Sequence, residues 1–153
     1  MSGESDRVRI RPLERGDRSE WGALWRAYLA FYGTTRPEDH VTAYFDRLLA
    51  EDPHDFRCRL ALSGGRPVGL VHFLFHAHGW RAEPVCYLQD LYADVGVRGR
   101  GVGRALIEAV YAEADRRGAP SVYWLTQAGN APARALYDRV GRATDFVKYE
   151  RPS

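Results

Sequence analysis

The stretch Arg98-Gly99-Arg100-Gly101-Val102-Gly103-Arg104 constrains this chain more than any other part of it. Before it, residues 85–95 form an apolar run that predicts a strand. After it, residues 102–117 carry Ala105, Leu106, Ala109, Val110 and Ala114 on one helical face, with Glu108, Glu113, Asp115 and Arg116 lying away from that face. A strand that turns through glycines into an amphipathic helix points to a layered α/β fold. The first N–H groups of such a helix have no partner within it, and its dipole adds positive charge there. Without side chains at Gly99, Gly101 and Gly103, an anion can approach the backbone, and Arg100 and Arg104 add charge nearby. The physical reading is a pyrophosphate cradle. A plain tight connection is the competing reading. A dinucleotide fold would need Gly-x-Gly-x-x-Gly after the first strand and a later acidic residue, and a P-loop would need Gly-Lys-Ser/Thr. Neither pattern is met.

The other elements come from periodicity. Residues 8–13 predict a first strand. Trp21, Leu24, Trp25, Tyr28, Leu29 and Tyr32 predict a helix that Gly33 breaks, and Val41, Tyr44, Phe45, Leu48 and Leu49 predict a second helix, opened by Pro37. Residues 56–62 and 67–78 predict a hairpin around Ser63-Gly64-Gly65-Arg66. Residues 121–126 predict a short strand, 130–139 a short helix and 146–150 a last strand. The expected order is βααβββαβαβ, a mixed, mostly antiparallel central sheet with flanking helices, and 1–153 is expected to form one domain.

Composition narrows the class. The chain has 153 residues, 45% hydrophobic and 27% charged, with a formal charge of +2. That suits one ordinary globular core and gives no basic excess for coating nucleic acid, so no nucleic-acid partner is expected. The polar stretch 1–11 lacks a signal-peptide core, and no apolar run is long enough to span a bilayer. Cys58 and Cys86 read as free thiols in a reducing compartment, with one disulfide as the alternative. The expectation is a cytoplasmic protein with no membrane partner.

Two motifs in the right order resemble the Gcn5-related N-acetyltransferase family. Its pattern Arg/Gln-x-x-Gly-x-Gly/Ala is met by Arg98, Gly101 and Gly103, after a strand Tyr87-Leu88-Gln89-Asp90-Leu91-Tyr92-Ala93 that looks like the family's fourth. The second motif is Asn130-Ala131-Pro132-Ala133-Arg134-Ala135-Leu136-Tyr137, followed by Gly141. Within the family, the run Val122-Tyr123-Trp124-Leu125-Thr126-Gln127 and the helix with Phe31-Tyr32 look most like the polyamine/diamine and Hpa2-like acetyltransferases.

The resemblance implies acetyl-coenzyme A as cosubstrate, no metal, and a small primary amine as acceptor: a diamine, amino acid or amino sugar, with a protein lysine second. It implies that Arg98, Gly99, Arg100, Gly101, Val102, Gly103 and Arg104 hold the pyrophosphate. Leu91, Tyr92 and Ala93 would pair with the pantetheine arm, and Asn130 and Ala133 would bind it from the other side. Relatives are often homodimers. A non-catalytic acyl-coenzyme A sensor is the rival reading.

Tyr137 is the candidate acid. It lies two turns after Asn130 on one helix face, and a phenol near pKa 10 can protonate a thiolate whose conjugate acid lies roughly one to two units lower. Its alternative role is a core aromatic capped by a hydrogen bond. For the acceptor, the candidates are Tyr28, Tyr32, His76, Gln89 and Asp90. Polyamine relatives carry a glutamate where Gln89 stands, and an amide cannot act as that base. Alternation puts Asp90 on the other sheet face unless a bulge intervenes. Glu38 and Asp39 are further candidates for the acceptor wall. His72, His76 and His78 share strand parity, but lack the companion spacing of a metal site.

Overall fold

The computed structural model describes residues 7–153; the six residues before Arg7, part of the polar 1–11 stretch, lie outside the described residues. Five strands form one open sheet in the order β1-β2-β3-β4-β5. They are β1 (Val8–Pro12), β2 (Arg57–Ser63), β3 (Arg66–His76), β4 (Val85–Ala93) and β5 (Val122–Tyr123). The first four pair antiparallel, and β5 runs parallel to β4. The helices are α1 (Arg18–Phe31), α2 (Glu38–Ala50), α3 (Val102–Arg116) and α4 (Ala131–Val140).

Alternation along the strands builds two cores, one on each face of the sheet. On one face Val71, Phe73, Cys86 and Leu88 pack under the α3 side chains Leu106, Ile107 and Val110, and Leu136 and Tyr137 of α4 lie against the same core. On the other, Leu60 and Leu70 are covered by Trp21, Trp25 and Leu29 of α1 and by Val41, Phe45 and Leu48 of α2. Most residues of the apolar stripes read in the sequence face the sheet; Tyr32 is exposed, and Glu113, expected to lie away from the α3 stripe, is buried. Burying each such side chain contributes roughly 1.5–3 kcal/mol. Glu113 of α3 is also buried and receives Arg57 of β2 at 3.2 Å and Arg117 at 3.3 Å, locking the end of α3 to the sheet.

Two expectations need correction. The predicted strand over 146–150 is absent: no described strand pairs with it, and Phe146, Val147 and Tyr149 are 84%, 74% and 91% exposed. Its alternation suits a strand, but a strand exists only where a neighbouring edge completes its ladder. The strand expected over 121–126 is only Val122–Tyr123, paired with Cys86 and Tyr87. Beyond that pairing β4 and β5 separate, and the rest of this β4 edge has no strand beside it among the described residues.

A bulge in the β3–β4 ladder decides which way the β4 side chains point. Between His72 and Phe73 the register with β4 slips: His72 pairs with Asp90 and Phe73 with Leu88, so Gln89 has no opposite number. One extra residue reverses side-chain parity. Before it, Cys86 and Leu88 join the α3 core; after it, Leu91 does, and Tyr92 turns to the core of α1 and α2.

Candidate active site

A cleft of about 480 Å³ opens where β4 and β5 part, in the size range of a small-ligand site. Its floor is Leu91, Tyr92 and Ala93 of β4. The unpaired edge of this strand leaves main-chain donors and acceptors available to an extended ligand, which would add as another strand.

One end of the cleft is the glycine turn, with Arg98, Gly99, Gly101, Gly103 and Arg104 in its wall. Gly99 and Gly101 have φ of +86° and +78°, a left-handed backbone that side chains disfavour. Gly101 is the N-cap of α3 and provides no side-chain cap, so the first-turn N–H groups of Val102, Gly103 and Arg104 have no intrahelical acceptor. Arg98 braces the turn: its Nε donates to Ala93 O at 3.2 Å and its guanidinium lies 5.6 Å from the Tyr92 ring centre. Arg139 of α4 adds a third guanidinium that sequence reasoning does not single out. Among the described residues no Asp or Glu lines the cleft. Three guanidiniums, of which Arg104 is paired with Glu108 at 2.9 Å from outside the lining, and open amides suit an anionic ligand.

The opposite wall is α4. Asn130 caps it, accepting from Ala133 N–H at 3.3 Å through Oδ1, which leaves the carboxamide NH₂ as donor. Pro132 and Ala133 line the cleft beside it, then Leu136 and Tyr137. The Tyr137 ring packs edge-on against Trp124, with centres 5.5 Å apart, and burial, then Tyr32, pushes its phenol pKa above the ordinary value. Its hydroxyl has no hydrogen-bond partner among the described residues, so the ring is held while the polar end is open to a ligand. Gly141 completes the motif for a packing reason: a Cβ there would lie 2.9 Å from Trp124 Cη2.

The third wall, from α1, holds Tyr28, Phe31 and Tyr32, with the Tyr28 and Tyr32 rings edge to face at 5.1 Å. Phe31 is not among the acceptor candidates in the sequence because its position off the apolar stripe looks like plain surface. The remaining candidates lie elsewhere. Arg100 and Val102 belong to the turn but not to the cleft lining, Val102 being buried in the α3 core. Gln89 is the exposed bulge residue. His76 Nε2 lies 2.8 Å from Tyr123 Oη, away from the cleft, while His78 stacks edge-on with Trp80 and His72 is buried. The three histidines are therefore not one cluster, and among the described residues no group of three or more His, Cys, Asp or Glu comes together to hold a metal. Glu38 pairs at the surface with Arg18 and Arg26, outside the cleft lining, and Asp39 is also absent from it.

Asp90 is placed by the bulge on the α1/α2 face and is 4% exposed. Trp21 Nε1–H, which can only donate, points at His72 Nε2 at 3.0 Å, so the imidazole proton sits on Nδ1 and is donated to Asp90 Oδ2 at 2.9 Å. Tyr44 Oη donates to the same oxygen at 3.2 Å.

A sheet that splits beside a glycine turn, with α4 closing the cleft opposite, matches known proteins over most of the chain. The model of the Acetyltransferase (GNAT) family matches residues 21–141. The chain belongs to the GNAT acetyltransferase family. Its relatives include the D-amino-acid N-acetyltransferase HPA3 of Saccharomyces cerevisiae, 38% identical over 151 residues, covering 96% of this chain and 92% of that protein. The fold is shared with AAC(6')-Iy in complex with the bisubstrate analogue CoA-S-monomethyl-acetylneamine, at 20% identity, TM-score 0.82 and coverage of 97% and 99%. It is shared too with a ribosomal-protein-alanine N-acetyltransferase from Brucella melitensis biovar Abortus 2308, at 23% identity, TM-score 0.80 and coverage of 96% and 99%. The GNAT chain is thus an acetyltransferase, with the family's glycine turn and tyrosine helix facing one another across one cleft. Among the described residues no helix is long and apolar enough to cross a membrane.

Proposed function

We propose that this acetyltransferase moves the acetyl group of acetyl-coenzyme A onto the amino group of a small amino-acid-like acceptor. The observation that carries this is the cleft's charge: Arg98, Arg104 and Arg139 line it and, among the described residues, no carboxylate does. Of the three, Arg104 is paired with Glu108 at 2.9 Å, so Arg98 and Arg139 carry the charge that suits a diphosphate or an acceptor carboxylate better than a polycation. Similarity to a D-amino-acid N-acetyltransferase supports the same acceptor class.

In this reading the amides from Gly99 to Arg104, apart from that of Arg100, which donates to Val97 O at 3.3 Å, take the diphosphate, with Arg98, Arg100 and Arg104 as counter-charge, and the open edge at Leu91, Tyr92 and Ala93 aligns the pantetheine arm. Asn130 and Ala133 hold that arm from the α4 side. The bound cosubstrate supplies an activated thioester. Main-chain N–H groups at the β4 edge are positioned to stabilise the oxyanion as the amine attacks. Tyr137 donates a proton to the departing sulfur, and because its pKa is raised the phenol stays protonated throughout the neutral range. Tyr28 and Tyr32 wall the amine. The chain acts as one domain, with no metal required. Two buried free thiols, Cys58 and Cys86, suit the cytoplasm. The exposed apolar segment at 146–150 suits a homodimer contact; Phe146→Asp with Tyr149→Asp should shift the sedimentation coefficient from dimer to monomer, and a wild-type monomer would refute that assignment.

The test of substrate class is mass-spectrometric product analysis with D- and L-amino acids, their amides, polyamines and aminoglycosides. Amino acids should be acetylated, with their amides reacting more slowly. Preferred acetylation of polyamines would overturn the acceptor assignment.

A further inference from the structure

The end of α1 presents three rings to the cleft that the fold itself does not fully use. The stripe α1 buries against the sheet is Trp21, Leu24, Trp25 and Leu29. Tyr28 packs partly against that core, whereas Phe31 and Tyr32 are 58% and 46% exposed on the cleft wall. Phe31 lies off the stripe and joins neither core. Neighbouring rings left this open forgo the burial that stabilises aromatic side chains elsewhere in the chain, and an apolar patch at a cleft marks a place for a ligand.

These rings are held in place. Trp25, in the core, stacks on Tyr28 with centres 5.1 Å apart and planes at 13°. Tyr28 meets Tyr32 edge to face at 5.1 Å, and Tyr32 meets Phe31 in the same way at 5.2 Å. Directly after them the helix stops: Gly33, at φ +72°, turns the chain so that Thr34 N–H donates back to Leu29 O at 3.0 Å. A wall ordered before its ligand arrives loses less conformational freedom on binding.

An amino-acid acceptor carries an amine, a carboxylate and a side chain on one carbon, and the cleft offers three kinds of surface. The amine must reach the thioester beside Tyr137, and Arg98 and Arg139 suit the carboxylate, which leaves the aromatic wall for the side chain. The charged and aromatic surfaces meet at the floor: the Tyr92 ring centre lies 6.3 Å from that of Tyr28 and 5.6 Å from the Arg98 guanidinium, a span that one small molecule covers. A cationic side chain would gain from the ring faces. It would also meet the guanidiniums of the same cleft, where among the described residues no carboxylate offsets them. The geometry points to this wall as the seat of the acceptor's side chain, selecting amino acids with large apolar side chains, such as leucine and phenylalanine, over alanine and lysine. Phe31 is the specificity-determining residue, being the most exposed of the three rings and the one with no place in either core. The inference rests on the amino-acid acceptor reading and names which amino acids that site takes.

The test compares kcat/KM of the full chain for alanine, leucine, phenylalanine and lysine, each as both enantiomers, in wild type, Phe31→Ser and Phe31→Leu, with coenzyme A affinity measured by calorimetry for each. In wild type, leucine and phenylalanine should exceed alanine by about tenfold or more, and lysine should fall below both. Phe31→Ser should shrink the phenylalanine-to-alanine ratio by about fivefold or more, chiefly through KM, because apolar contact with the side chain is lost. Phe31→Leu should restore most of that ratio, and coenzyme A affinity should stay level in both variants. Equal wild-type values for alanine and phenylalanine, a preference for lysine, or a ratio that Phe31→Ser leaves unchanged overturns the assignment. A wild type that acetylates no amino acid at all would instead sink the acceptor reading on which the assignment rests.

Discussion

At the scale of single residues, the proposed mechanism assigns the chemistry to Tyr137 and the grip on the cosubstrate to the turn at Gly101. Tyr137 is packed on Trp124 with its hydroxyl unpartnered among the described residues, so Tyr137→Phe keeps the packing and removes one proton donor. It should lower kcat by about a hundredfold while leaving coenzyme A affinity within about twofold, as calorimetry and steady-state rates would report. Gly101 sits at φ +78°, and a β-branched side chain there is strained by roughly 1–2 kcal/mol besides narrowing the anion's approach. Gly101→Val should weaken coenzyme A binding about tenfold or more, which calorimetry reads directly. Motif spacing discloses both residues in the sequence. It does not disclose Arg139, because an arginine near a helix end reads as surface charge until the opposite wall is in place. Nor can it fix Asp90, whose direction depends on one inserted residue.

At the scale of elements, α4 and the β4–β5 split set the site. Trp124 lies between Gly141 and Tyr137, so the end of α4 fixes the position of the phenol. Gly141→Ala would place a methyl 2.9 Å from a rigid indole, and the expected cost is about 1–3 kcal/mol in urea unfolding, together with a fall in kcat. Helices are legible in the sequence because their apolar stripes depend on local spacing alone: the stripe of Leu106, Val110 and Ala114 is the buried face of α3. Strands are less so. Phe146, Val147 and Tyr149 have strand-forming side chains, but pairing is a property of two segments, and none of the described strands supplies the second. The shortness of β5 has the same origin, since β4 turns away from it beside the Gln89 bulge.

At the scale of the whole molecule, buried neutral acids set an alkaline limit. Burial pushes Cys86 up to about 12 and raises Tyr28, Tyr44 and Tyr137 above their usual range. Each has a folded pKa above its unfolded one, so its contribution is fully present below the unfolded value and declines as pH rises past it. Thermal unfolding midpoints should therefore be level from about pH 7 to 8 and fall from about pH 9 upward, and Cys86→Ala should soften the first part of that fall. A midpoint independent of pH up to about pH 11 would contradict the burial of these groups. The same two-layer packing that hides them leaves one cleft edged by glycine amides and guanidiniums, and the family assignment gives that cleft its chemistry. Release of coenzyme A thiol from acetyl-coenzyme A, measured with and without an amino acid acceptor, tests this claim most directly. The account predicts release that depends on the amine and saturates with it; tight coenzyme binding with no amine-dependent release from any acceptor would contradict it and leave a sensor in its place.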